Sequence, residues 1–106
     1  MEKPCTPAQY RQIWERLIHV CPPPFGTVVH FRRSSRLHHK GETSKRRNVF
    51  TVTVRMGMCF DLTEETAIHE YAHVCAWRPH HALSGDHDEE FGIWYSRVYR
   101  SYHHER

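Results

Sequence analysis

The chain has 106 residues, enough for one modest hydrophobic core, so a single domain spanning 1–106 is expected. Its 39% hydrophobic and 12% aromatic content exclude a disordered chain, and no apolar run reaches the roughly 20 residues of a membrane-spanning helix. The net charge of +3 is unevenly held: Arg32–Arg47, "RRSSRLHHKGETSKRR", carries seven Lys/Arg against one acid, Glu42, while the remainder is net acidic.

The opening residues, "MEKPCTPAQYRQIW", lack the apolar core of a secretory signal, so a soluble, cytoplasmic protein without membrane contact is expected. The first helix is predicted to begin with Thr6 as N-cap and Pro7 at the first helical position. Tyr10, Ile13, Trp14, Leu17 and Ile18 recur at 3–4 spacing and form one apolar stripe. The prolines of "CPPPFG" end it, because they cannot continue the hydrogen-bond ladder.

Residues 27–33, "TVVHFRR", and 48–55, "NVFTVTVR", are rich in β-branched residues and alternate, which predicts two strands. The basic stretch between them reads most simply as a long hairpin loop. Two readings of it stay open: contacts to nucleic-acid phosphates, or a solvated loop whose charges aid solubility.

A second helix is predicted over "DLTEETAIHEYAHVCAW", with Thr63 as N-cap, Glu64 and Glu65 in the first turn, and Pro79 closing it. A third runs from Asp86 or His87 to Tyr102, with Phe91, Trp94, Tyr95, Val98, Tyr99 and Tyr102 as its stripe. The four cysteines, Cys5, Cys21, Cys59 and Cys75, include no C-x-x-C pair and are expected as reduced, packed thiols. Trp14, Trp77 and Trp94 are expected as core anchors. His19 and His30 are expected as bystanders rather than ligands.

The second helix carries the chemistry. His69 and His73 are separated by one turn and about 40° of rotation, so both imidazoles can converge on one metal ion. Glu70 sits beside them, placed to hold a metal-bound water and take its proton, the base role of H-E-x-x-H sites. Ile68, Tyr71, Ala72 and Cys75 occupy a different arc, suited to packing. With 11 histidines in the chain, a chance H-E-x-x-H has odds of roughly one in ten, and the capped amphipathic helix around it lowers them.

A catalytic zinc site has three protein ligands and an open position. His80, His81, Asp86, His87, Asp88 and Glu90 follow the helix as candidates. A metzincin pattern fails at Ala76 and Pro79, and a gluzincin pattern reaches Glu90 but finds Trp94 in place of its supporting acid. His87 is preferred, because it opens the next helix after a turn at Gly85. A three-histidine endoribonuclease pattern would need a histidine at Pro79.

"HEYAHVCAW" followed by "GDHDEEFGIWYSRVY" resembles the SprT-like, or Spartan-type, zinc metalloproteases, whose third histidine starts a downstream helix with a phenylalanine four residues later, here His87 and Phe91. The resemblance covers roughly residues 48–100. It implies a minimal zincin-like α+β fold, about three helices with a small two- to three-stranded antiparallel sheet. It further implies one catalytic Zn2+ on His69, His73 and His87, Glu70 as general base, and a protein or peptide substrate. Enzymes of this type act on DNA-bound proteins, which would give the basic stretch a nucleic-acid partner. The 48–55 strand is expected to offer an edge for an extended peptide. Tyr95, Tyr99, His80 and Arg78 are the candidate oxyanion stabilisers. The alternative is a nucleic-acid-binding module with a structural zinc and no catalysis.

Overall fold

A computed structural model describes residues 2–77 and 89–104. Its elements run α1 (Pro7–Val20), β1 (Val28–Ser34), β2 (Gly41–Arg46), β3 (Val49–Arg55), α2 (Phe60–Ala76) and α3 (Glu89–His104). The architecture is a small α+β domain of three helices and a three-stranded sheet.

α1 starts as its sequence predicts. The Gln9 N–H donates to Thr6 Oγ1 at 3.1 Å, and the Thr6 N–H donates to Gln9 Oε1 at 2.9 Å, a reciprocal capping box. Tyr10, Ile13 and Leu17 are buried, and Trp14 lies flat on Phe31 of β1 with ring centroids 5.5 Å apart.

The sheet departs from the expected hairpin. Its order is β1-β3-β2: β1 pairs parallel with β3, from Val28↔Val49 to Ser34↔Arg55, and β2 pairs antiparallel with β3. The sheet is therefore mixed, and the basic stretch, expected as one long loop, contains the strand β2 after a connection at 35–40. Side-chain polarity explains the order. Phe50, Val52 and Val54 of β3 are completely buried, so β3 takes the centre, whereas "GETSKR" of β2 suits an edge. β3 is gripped at its end from both sides: the Arg55 N–H donates to the Lys40 carbonyl at 2.7 Å, and the Met56 N–H to the Ser34 carbonyl at 3.0 Å. Arg47, in the two-residue turn between β2 and β3, has φ 57°, in the left-handed region.

α2 packs against β2, β3, α1 and α3. Ten of its residues are buried, as expected of a helix surrounded on most sides. It begins at Phe60 with Cys59 as N-cap, one turn before the predicted Thr63. The Thr63 N–H already donates within the helix to the Cys59 carbonyl at 2.9 Å, and its hydroxyl turns back to the Met58 carbonyl at 3.4 Å. The N-terminal segment anchors this start, since the Cys5 N–H donates to the same Met58 carbonyl at 2.8 Å.

α3 buries Phe91, Val98 and Tyr102, while Tyr99, predicted in the same stripe, is 39% exposed. Its C-terminal end is bound to both other helices. Arg16 Nε donates to the Tyr102 carbonyl at 2.8 Å, and the Tyr102 hydroxyl donates to Glu64 Oε2 at 2.6 Å. All four cysteines are free thiols, with Cys5 and Cys75 buried. Among the described residues no helix is long and apolar enough to cross a membrane.

Candidate metal centre

His69, Glu70 and His73 lie in the second half of α2, where the helix passes between the sheet and α3. The imidazole ring centroids of His69 and His73 are 5.4 Å apart. Two imidazoles sharing one tetrahedral zinc, with Zn–N near 2.1 Å, place their ring centres roughly 5 Å apart. The separation of the two rings is therefore that of a pair able to share one ion.

Glu70 is 9% exposed, an unusual depth for a carboxylate. Its Oε2 lies 4.0 Å from His69 Nε2, too far for a hydrogen bond and close enough for one water to bridge. The other carboxylate oxygen is held from the sheet. Thr43 Oγ1, on β2, is 2.8 Å from Glu70 Oε1 and 2.9 Å from the Glu70 backbone carbonyl. A hydroxyl has a single proton, so this donor is shared between the two acceptors, which fixes both the side chain and its own turn of helix.

Gly41, two residues earlier on β2, makes that approach sterically feasible. A Cβ there would stand 2.7 Å from Thr66 Cγ2, 3.0 Å from Glu70 Cγ and 3.1 Å from the Thr53 carbonyl. The strand can lie against α2 at Glu70 only because this position has no side chain.

α3 closes the other side with aromatic rings. Phe91 is 7% exposed and stacks on His73 with centroids 4.2 Å apart and planes 28° off parallel; it also lies 5.2 Å from His69. Tyr95 meets the His69 ring edge-on at 5.7 Å. Together they limit the rotation of both imidazoles.

An open cleft of about 550 Å³ borders His69 and Glu70. Tyr95 lines it, and burial, reinforced by the charge of Glu65 and by Tyr99, raises the Tyr95 pKa above that of an ordinary phenol. Its hydroxyl therefore remains a hydrogen-bond donor across the physiological range. Tyr99 stacks on Tyr95 at 6.2 Å, outside the residues that line the cleft.

Of the predicted site residues, the structure brings His69, Glu70 and His73 together. His87 lies outside the described residues, as do His80, His81, Asp86, Asp88, Arg78 and Pro79. Among the described residues no group of three or more His, Cys, Asp or Glu side chains is placed to hold a metal ion. Glu90, the gluzincin candidate, accepts a hydrogen bond from the Trp94 indole at 3.2 Å.

Thr43 and Gly41 escaped the sequence reading. "GETSKR" does alternate, but its polarity hides a strand, and nothing local to it points toward a glutamate 27 positions away. The basic charges also divide among separate tasks. Arg33 Nη2 donates to the Cys5 carbonyl at 2.8 Å, Lys45 Nζ lies 4.4 Å from the Trp77 ring centroid, and Arg47 occupies the turn.

Compared with protein-family models, curated proteins and solved structures, the chain matches none.

Proposed function

We propose that the chain is a zinc-dependent metallopeptidase of the SprT-like kind, with His69, His73 and His87 as the residues that would hold the ion. The observation that carries this reading is the treatment of Glu70. A buried carboxylate beside two histidines of ligand spacing is oriented by a hydroxyl from another element, an arrangement a purely structural metal site has no use for. Zinc, when bound, supplies Lewis acidity for a carbonyl and makes a water acidic enough to lose a proton near neutral pH.

The chain's own residues perform the remaining work. Glu70 takes the proton of the attacking water and delivers it to the leaving amine. Thr43 keeps the carboxylate turned toward His69 while this happens. Tyr95, a neutral phenol on the cleft wall, donates to the oxygen that develops negative charge. Of the two edge strands, β2 is the one that touches Glu70 and so the edge for an extended substrate; the 48–55 strand is not, because β3 is central and paired on both sides.

Two measurements test the reading. Metal analysis of the native protein should give about one zinc per chain, lost in His73→Ala and in His87→Ala and kept in His80→Ala. Glu70→Gln should keep the zinc and lower peptide-cleavage kcat by about 10²–10⁴-fold. A protein that purifies without zinc removes the metal centre. Cleavage that survives Glu70→Gln removes the base, and zinc bound with no cleavage by the wild type leaves the nucleic-acid-binding module with a structural ion.

A further inference from the structure

The cleft beside His69 and Glu70 has two unlike walls. Leu62, Glu65 and Tyr95 belong to the helical side. The facing side is basic: His38, His39 and Lys40 from the β1–β2 connection, and Arg55 from the end of β3. Among the described residues, neither Lys40 nor Arg55 takes part in an ion pair. This wall is firmly built, because the Arg55 N–H to Lys40 carbonyl bond of 2.7 Å welds the connection to the sheet. Its cations therefore face the cleft from a fixed backbone, and among the described residues no carboxylate lies within ion-pairing distance of Lys40 or Arg55.

We infer that the cleft accepts an acidic peptide segment, whose Asp or Glu side chains meet Lys40 and Arg55 next to the proposed scissile position. β2 ends the sheet, and its Gly41 end leads directly into Lys40, so an extended peptide added along that edge runs into the basic wall. A continuous phosphate backbone suits the same cleft less well. Glu65 and Glu70 line it too, and Glu42 stands exposed on the edge strand, so a phosphate at every step meets carboxylates as well as cations. A peptide can place its carboxylates only where the cations are. The inference extends the peptidase reading by naming its substrate class, and binding tests it apart from cleavage.

The full chain carrying Glu70→Gln is titrated with two fluorescein-labelled peptides that are identical except for a block of three glutamates or three lysines. The glutamate peptide should bind about tenfold more tightly, a preference that shrinks as salt is raised. In the same background, Lys40→Glu should reduce the preference and Lys40→Glu with Arg55→Glu should reverse it. Lys40 is exposed, so the single variant keeps the test decisive if the double variant folds poorly. Equal binding of the two peptides, or a preference untouched by Lys40→Glu, overturns the inference. So does a single-stranded oligonucleotide that outcompetes the glutamate peptide and loses affinity in the same variants. Wild-type protein then separates the two readings. Preferential binding of the glutamate peptide without cleavage leaves the acidic-segment inference standing and removes the peptidase, whereas cleavage with no acidic preference does the opposite.

Discussion

α2 and the basic stretch ahead of it contribute to the same site and differ in how their structure is written. α2 is stabilised largely by burial on most of its circumference, with apolar residues on several sides and not along a single stripe. β2, inside the basic stretch, has little apolar surface and exists because β3 offers it a ladder of backbone partners from Gly41↔Val54 to Arg46↔Val49. One element announces itself in one dimension, and the other is a product of pairing. The functional consequence is that the helix supplies the reactive groups while the polar strand decides how Glu70 is aimed.

The largest effect that would sharpen this contrast is expected at Gly41. Gly41→Ala puts a methyl group 2.7 Å from Thr66 Cγ2 and 3.0 Å from Glu70 Cγ, so strand and helix must part. A loss of about 1–3 kcal/mol in denaturant unfolding is expected, as for overpacked cores, together with a drop in kcat. Unchanged stability and activity would mean that β2 does not press on α2, and the comparison would collapse.

Thr43→Val is expected to be milder for the fold and specific for chemistry. It preserves shape and removes the hydroxyl that reaches Glu70 Oε1 and the Glu70 carbonyl. kcat should fall about 10–100-fold with KM and zinc content unchanged, and Thr43→Ser should recover most of the loss. Loss of zinc in Thr43→Val would instead make the threonine a support for the ligand helix.

Thr6→Ala probes a helix whose start was written locally. It breaks the capping box with Gln9 and should cost about 1 kcal/mol, a fall in Tm of roughly 4–8 °C, while leaving cleavage intact. The smallest effect is expected at the β2–β3 turn. Arg47→Gly relieves the left-handed conformation at φ 57° and should raise stability by roughly 0.5–1 kcal/mol, provided the turn forms as a hairpin and not as part of a long loop. A destabilised Arg47→Gly would show that the basic stretch gains nothing from this turn.

Much of the molecule was legible one residue at a time. The Thr6–Pro7 start, the Tyr10, Ile13 and Leu17 stripe, the alternation of Phe50, Val52 and Val54, and the H-E-x-x-H pair at His69 and His73 all rest on periodicities of 3.6 or 2 that neighbours in sequence enforce. The start of α2 was misplaced because Thr63 is a good N-cap residue in isolation. The anchoring of Met58 by Cys5 extends the helix one turn beyond it. Sheet order was beyond local reading for a stronger reason. The parallel partnership of β1 and β3 depends on which strand is apolar enough for the centre, a competition among all three.

From the sequence alone follow the three helices, the strands β1 and β3, the buried stripes of α1 and β3 and the ligand-spaced histidines, because each rests on contacts within a turn or two of chain. Tertiary structure alone decided that a polar, cationic segment becomes the edge strand, that Gly41 and Thr43 meet Glu70, and that Phe91 stacks on His73. The contacts of Gly41 and Thr43 with Glu70 and of Phe91 with His73 join residues 18 to 29 positions apart, and no local propensity encodes a distance that only the packed core brings to zero.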